Sequence, residues 1–322
     1  MSNVPEPFDI IIIGGGPAGL SAATSIVRQG HKTALFDSGD YRNSTSPHLH
    51  TVPALDYADP EKFRAKARAD LEQYGSVTIF NAAITSLKQV NDGLFEAVTS
   101  ENDKSYVAKK IILATGVDDI FPDIEGYEEC WVSGIFHCLY CNGWEEKGVP
   151  SAGMLAQGDV SNALVALHFA RQALQLTNSV TIYTNGNHQL ADDLQAALKA
   201  APAPMVVDSR RIVRLSKEPV RARITVYFDD ETRKTEGFLA HKTSTKLRSS
   251  DLATQLGLEL TPMGTIAVHP PFNQTSVKGV FAAGDCASPM QTITAAMHSG
   301  SCVGGGAPLQ IQAELYGQKA IF

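Results

Sequence analysis

Continuous apolar, β-branched runs that end in glycine turns recur along this chain. Phe8 to Ile13 (FDIIII) is the first, leading into Gly14-Gly15-Gly16-Pro17-Ala18-Gly19, after which Leu20, Ala23, Ile26 and Val27 fall at helical spacing. That change of period predicts strand, tight glycine turn, helix. Lys32 to Phe36 predicts a second strand ending at Asp37, Ile111 to Gly116 (IILATG) a third closing on a Thr-Gly turn, and Gly279 to Asp285 (GVFAAGD) a fourth ending in Gly-Asp. Between these segments, Gly153 to Ala156, a helix from about Ser161 to Leu176 and the strand Val180 to Tyr183 form a second βαβ-like start. Arg221 to Phe228 alternates as a strand does, and Asp229-Asp230-Glu231 reads as a polar turn.

The first glycine cluster has a mechanism as well as a pattern. Gly14 permits the turn, Gly16 lets backbone amides approach a pyrophosphate, and Gly19 lets helix and strand pack closely, while the helix N-terminus favours phosphate charge. Asp37 stands where the dinucleotide fingerprint places an acid for ribose hydroxyls. A plain glycine turn is the alternative, and the surrounding strand, helix and acid together argue against it.

Length and charge narrow the class. The 322 residues suggest two domains, and 43% hydrophobic content supports ordinary cores. A net charge of -7 gives no broad basic surface for nucleic acid, and no apolar run is long enough to span a membrane. Met1 to Pro7 lacks a basic leader segment, and five cysteines do not form a secreted disulfide framework. A reducing, cytoplasmic setting is expected.

Two of the cysteines carry the chemistry. Cys138-Leu139-Tyr140-Cys141 is a C-x-x-C unit, which in isolation fits a zinc half-site, a redox pair or coincidence. No second pair with zinc spacing exists to complete a tetrahedral site, so no metal is expected and redox chemistry is the better reading. Cys130, Cys286 and Cys302 have no thiol partner at short spacing and read as small buried fillers.

The three glycine segments together resemble the FAD-contact motifs of the two-dinucleotide-domain flavoprotein disulfide reductases. They lie at both ends of the chain, so the middle is an insertion: residues 1–117 with 243–322 are expected to form a discontinuous α/β FAD domain, and residues 118–242 an inserted, degenerate NADPH-type domain carrying the dithiol. Order and length make the whole chain similar to the low-molecular-weight thioredoxin reductase family. Tyr41-Arg42-Asn43, Pro47-His48-Leu49-His50 and the tail from Gly304 to Glu314 further resemble the thioredoxin-reductase-like dithiol oxidases of fungal sulfur metabolism, of the gliotoxin oxidase type. Those enzymes close the disulfide of epidithiodiketopiperazines and similar small products.

The resemblance implies roles. Cys141 becomes the flavin-proximal thiol and Cys138 the outer one that exchanges with substrate. FAD contacts fall to Gly14, Gly16, Pro17, Ala18, Gly19, Asp37, Ser38, Arg42, His50, Thr115, Gly116, Gly284, Asp285, Thr292 and Ile293. Asp285 taken by itself also reads as a cap or turn residue. A homodimer is implied in the same way.

The chain departs from thioredoxin reductases at three places. After Met154-Leu155 the expected glycine-rich turn reads Ala156-Gln157-Gly158-Asp159, and the strand Val180 to Tyr183 is followed by Thr184 to His188 without Arg or Lys. Side chains obstruct the approach of a pyrophosphate, and no guanidinium fork awaits a 2′-phosphate. Asn142 replaces the acid that follows the second cysteine in that family, and Asn cannot titrate. Proton handling is therefore assigned to histidine: His137 and His298 first, with His48 and His50 as further candidates. Each also fits an ordinary hydrogen-bonded or surface imidazole. Trp131, Tyr140 and Trp144 fit either an apolar substrate pocket or packing between domains.

These readings converge on an FAD-dependent oxidase that forms a disulfide in a small-molecule dithiol, with molecular oxygen as acceptor and hydrogen peroxide as product. An NADPH- or ferredoxin-dependent disulfide reductase and a flavin-binding redox sensor without turnover are the alternatives.

Overall fold

The computed structural model describes residues 6–90, 93–101 and 103–322; of the N-terminal stretch read above, the first five residues lie outside it. The chain forms two compact units, one running to Asp118 and resuming at Lys246–Phe322, the other Asp119–Thr245.

The first unit opens with β1 (Phe8–Ile13), α1 (Pro17–Val27), β2 (Thr33–Phe36), α2 (Pro60–Glu72), β3 (Val77–Phe80), β4 (Ile84–Gln89), β5 (Phe95–Thr99) and β6 (Ser105–Leu113). Both passages of the chain between the units fall in strands, β7 (Val117–Ile120) going out and β16 (Ser244–Leu247) returning. The second unit holds α3 (Tyr127–Cys130), β8 (Ile135–Phe136), β9 (Ala152–Leu155), α4 (Ala163–Leu174), β10 (Val180–Tyr183), α5 (His188–Ala200), β11 (Met205–Asp208), β12 (Ile212–Lys217), β13 (Ile224–Phe228), β14 (Arg233–Glu236) and β15 (Leu239–Ala240). After β16 the first unit is completed by α6 (Ser250–Gln255), β17 (Val280–Ala282) and α7 (Ile293–Leu315).

The main sheet of the first unit runs β3-β2-β1-β6-β5-β4, with β17 also on β6. β1, β2, β3, β6 and β17 pair in parallel, and β4 and β5 continue the sheet antiparallel. A central strand covered on both faces is apolar where it is covered, which is why Ile10 to Ile13 shows no alternation, while Asp9 at its less buried start pairs with Lys109 and His31. Ile10 and Ile12 pack with α1 and α7 through Ala22, Ala23, Ile26, Val303 and Ala307, while Ile11 and Ile13 pack on the other face with Phe36, Phe95 and Ile111. Each of these four isoleucines is essentially buried, contributing about 1.5–3 kcal/mol by removal from water.

The second unit repeats the scheme in a shorter parallel sheet, β11-β10-β9-β15-β8, beside the antiparallel sheet β12-β13-β14. The helix expected from Ser161 to Leu176 is α4, which begins later because Asn162 caps it through its Oδ1 and the Val165 amide, 3.0 Å apart. The strand expected from Arg221 starts instead at Ile224. Arg221 has φ +49°, the Arg223 amide bonds back to the Val220 carbonyl, and the segment turns before β13 begins. Asp229-Asp230-Glu231 is the expected turn into β14, with the Glu231 amide on the Phe228 carbonyl.

Candidate active site

The glycine turn after β1 is built by close contacts that leave no room for side chains except at one place. A Cβ on Gly14, whose φ is +114°, would lie 2.2 Å from the Ala114 carbonyl oxygen, and one on Gly19 would lie 1.9 Å from the Gly14 carbonyl oxygen. Gly15, which the sequence reading left without a role, lies against Asp37, whose Oδ2 would meet its Cβ at 1.8 Å. Gly16 alone faces open space, with nothing within 4 Å of the added Cβ. It is also the N-cap of α1 and offers no side-chain acceptor, and Pro17 follows at the first helical position. Uncapped amides at a helix N-terminus beside a side-chain-free gap form a cradle for a phosphate-bearing ligand, so these residues fit the pyrophosphate of a dinucleotide.

The other expected cofactor residues gather on the same unit. Thr115 and Gly116 follow β6, where the Thr115 hydroxyl lies 2.6 Å from that of Ser249 and Gly116 adopts φ +71° with open space at its Cα. Gly284 and Asp285 begin a short 3-10 turn after β17, and the Gly284 amide donates to the Ser299 hydroxyl at 2.8 Å. Asp285 accepts from Arg42 at 3.0 Å, and Arg42 also donates to Gln291 at 2.8 Å. Thr292 caps α7 through its hydroxyl and the Ala295 amide at 3.2 Å, making Ile293 the first helical residue. Ser38 is exposed and receives the Asp40 amide at 3.4 Å.

His50 pairs with Asp56 at 3.3 Å and packs edge-on against Tyr57, which lies 5.7 Å from the ring of His48. His298 is exposed on α7, its Nε2 3.7 Å from the Sγ of Cys302. Cys302 is therefore a half-buried thiol beside an imidazole rather than a sealed filler, unlike Cys130 and Cys286, which are fully buried. Burial pushes Cys130 up to about 11 and raises Cys286, which keeps both as unreactive thiols.

On the second unit Cys138 and Cys141 form a disulfide with Cα atoms 5.2 Å apart. The turn between them is closed by the Cys141 and Asn142 amides, both on the Cys138 carbonyl. His137 stacks on Trp131 with ring centroids 5.2 Å apart, and Trp131 in turn packs with Tyr127 and Phe121. Trp131 thus serves packing inside its own unit, whereas Tyr140 and Trp144 are 70% and 61% exposed.

The turn after β9 is occupied by the chain itself. The Gln157 side-chain carbonyl accepts from Asn185 Nδ2 at 3.1 Å, and Asn185 Oδ1 accepts the Ile212 amide at 2.7 Å. Asp159 accepts from the Ser244 hydroxyl at 2.5 Å, and Asn162 caps α4. A carboxylate and a self-capped helix stand where a nucleotide-binding turn presents free amides. Behind the turn, His241 bridges the Gln157 carbonyl, 3.3 Å from Nε2, and the Tyr127 hydroxyl, 2.6 Å from Nδ1. Burial lowers His241 to about 4, so the ring is neutral. A carbonyl only accepts, which places the proton on Nε2 and makes Tyr127 the donor to Nδ1.

Among the described residues no group of His, Cys, Asp or Glu could hold a metal ion, and no helix is long and apolar enough to cross a membrane.

A parallel sheet with a phosphate cradle, a second sheet of the same kind and a C-x-x-C disulfide define a flavin-dependent disulfide oxidoreductase. Residues 8–300 match the pyridine nucleotide-disulphide oxidoreductase family, and the chain belongs to it. It is 42% identical to the thioredoxin reductase tcpT of Claviceps purpurea over 98% of this chain and 97% of that one. It is 41% identical to the thioredoxin reductase aclD of Aspergillus oryzae, covering 94% and 96%. An oxidoreductase from Agrobacterium tumefaciens superposes with a TM-score of 0.83 at 30% identity over 97% and 99% of the two chains. A thioredoxin reductase TrxB from Bacillus anthracis gives 0.85 at 27% over 96% and 99%. The family implies FAD as the flavin.

Proposed function

We propose that this flavoprotein is a dithiol oxidase: it forms a disulfide in a small-molecule dithiol and delivers the electron pair to molecular oxygen. The observation that carries the proposal is the Gln157–Asn185 hydrogen bond across the turn after β9, which with Asp159 fills and charges the place an NADPH pyrophosphate would need. A chain that has closed its nicotinamide entrance must draw electrons from elsewhere, and the Cys138–Cys141 disulfide is the built acceptor.

The first half-reaction is thiol–disulfide exchange. A substrate thiolate attacks Sγ of Cys138, the Cys138–Cys141 bond breaks, and a mixed disulfide forms with Cys141 leaving as thiolate. The second substrate thiol, losing its proton, attacks the mixed disulfide, releasing the cyclic disulfide product and reduced Cys138. Two electrons have then passed from substrate to the cysteine pair, one thiol proton having left when the attacking thiolate formed and the other at the second attack. Bound FAD would supply the two-electron acceptor for this dithiol and the route to oxygen, yielding hydrogen peroxide. Gly14, Gly16 and Gly19 with the N-terminus of α1 would hold its pyrophosphate, Asp37 its adenosine ribose, and Gly284, Asp285 and the start of α7 its flavin half. His137 and His298 are the assigned proton carriers, since Asn142 cannot serve.

The resemblance to fungal dithiol oxidases supports a substrate from sulfur-containing natural products, a cytoplasmic setting and a homodimer. A homodimer predicts twice the chain mass by light scattering at micromolar concentration. The relatives, called thioredoxin reductases, favour a second reading, an NADPH-driven disulfide reductase. Anaerobic stopped flow separates the two. Dithiothreitol should bleach the flavin within seconds and air should restore it with peroxide release, while NADPH at micromolar concentration should leave it oxidised; rapid bleaching by NADPH would make the protein a reductase.

A further inference from the structure

The acid at the end of β2 does not stand alone. Asp37 is 2% exposed, and its two carboxylate oxygens are already engaged by three donors. Oδ1 accepts the Gly39 amide at 2.9 Å. Oδ2 accepts the Tyr41 hydroxyl at 2.6 Å and is paired with the guanidinium of Arg68, which reaches it from α2. Arg68 also donates to the Tyr41 hydroxyl at 3.3 Å, and a second α2 residue, Arg64, lies over the Tyr41 ring at 3.9 Å and donates to Asn43 at 3.2 Å. The same carboxylate rests against Gly15 with no room for a Cβ between them.

A carboxylate offers about four acceptor positions, and three are used here. One remains, so a ribose bonds Asp37 through a single hydroxyl unless it displaces a donor. The direction of that remaining position is set by the two donors on Oδ2. Taking a lone carboxylate out of water is costly, and the Arg68 charge is what offsets it in this buried place.

We propose that Arg68 is a positioning residue of the adenosine end of the cofactor site: by holding Oδ2 of Asp37 it fixes that carboxylate to receive one ribose hydroxyl. This rests on the flavin reading above. Arg68 does not touch the dinucleotide in this account; it acts through Asp37, with Tyr41 as the second donor on the same oxygen.

The test is a titration of the full-length chain, stripped of flavin and refilled, with FAD, ADP and 2′-deoxy-ADP. In Arg68→Leu, FAD and ADP should weaken by the same factor, about tenfold to a hundredfold, because both present the same ribose. Arg68→Lys should recover most of the loss. The preference of the wild-type protein for ADP over 2′-deoxy-ADP should shrink towards unity in Arg68→Leu, an outcome that loss of general stability does not produce. If Arg68→Leu does not fold, Tyr41→Phe serves: it removes the other donor from Oδ2 and should reduce the same preference by a smaller factor. An undiminished preference for ADP in these variants, with wild-type binding intact, overturns this inference alone. A wild-type protein that binds neither FAD nor ADP overturns the cofactor reading and this inference with it.

Discussion

Tyr127 and His241, 114 positions apart in the chain, share a buried 2.6 Å hydrogen bond, and the far nitrogen of His241 holds the backbone of the turn after β9. The imidazole is lowered from 6.5 to about 4 by burial, so the unfolded chain takes up a proton before the folded one does. Its contribution is complete above pH 6.5 and is lost progressively as pH falls to about 4. Over that window the wild-type protein should lose on the order of 3 kcal/mol more stability than His241→Gln. Denaturant titrations of both proteins at pH 7 and pH 4.5 check it; parallel losses would refute it.

Gly16 and Gly19 should fail in different ways. Gly16→Val places its side chain in open space, so the flavin-free protein should melt close to wild type while FAD retention falls by at least about tenfold through blocked backbone approach. Gly19→Val drives a side chain into the Gly14 carbonyl and should destabilise the flavin-free fold by about 1–3 kcal/mol or more. Melting curves of the apoproteins and flavin absorbance of the purified proteins give both readings.

Cys138→Ser and Cys141→Ser should each abolish turnover of dithiothreitol while the purified proteins stay yellow. If Cys141 is the flavin-side thiol, only the variant that keeps it, Cys138→Ser, shows a long-wavelength thiolate-to-flavin absorbance band. A band in Cys141→Ser instead would exchange the two roles.

The obstruction proposed at the turn after β9 can be removed. Gln157→Gly with Asp159→Ala removes the bridge to Asn185 and the exposed carboxylate together. NADPH should then reduce the flavin at least about tenfold faster than in the wild type, on the scale of one lost steric or charge obstruction. No gain in anaerobic stopped flow would show that the obstruction lies outside this turn.

Local patterns made much of this fold readable. Gly14, Gly16 and Gly19 announce their spacing within six residues, β1 declares itself central by the four isoleucines Ile10 to Ile13, and α4 and β10 follow from periodicity. The disulfide between Cys138 and Cys141 was legible from their spacing once no second pair offered zinc ligands and the glycine motifs supplied a flavoprotein context. What stayed hidden depends on side chains that meet from distant segments. Arg68 reads as one more charge on an amphipathic helix until the fold brings it across 31 positions to Asp37. Gly15 looks like surplus glycine until Asp37 lies against it. His241 follows the apolar run Phe238-Leu239-Ala240, but nothing in the sequence names Tyr127 as its partner. Helical spacing on α2 that places Arg64 and Arg68 one turn apart was the one available hint, and it names no partner.

Gly300 and Gly304 bring α7 into contact with the backbone of α1, a Cβ on Gly300 meeting the Ala18 carbonyl oxygen at 2.2 Å and one on Gly304 the Ala22 carbonyl oxygen at 2.8 Å. The helix whose N-terminus is assigned to the pyrophosphate, α1, and the one assigned to the flavin half, α7, are therefore in backbone contact about two turns from the start of α7. Sliding one past the other would drive side chain into backbone, so a flavin held by both ends, as proposed, would meet a clasp of fixed span. Lengthening α7 by one residue ahead of Gly300 would reset that span, so the count from Thr292 to Gly300 would set the reach of the proposed clasp.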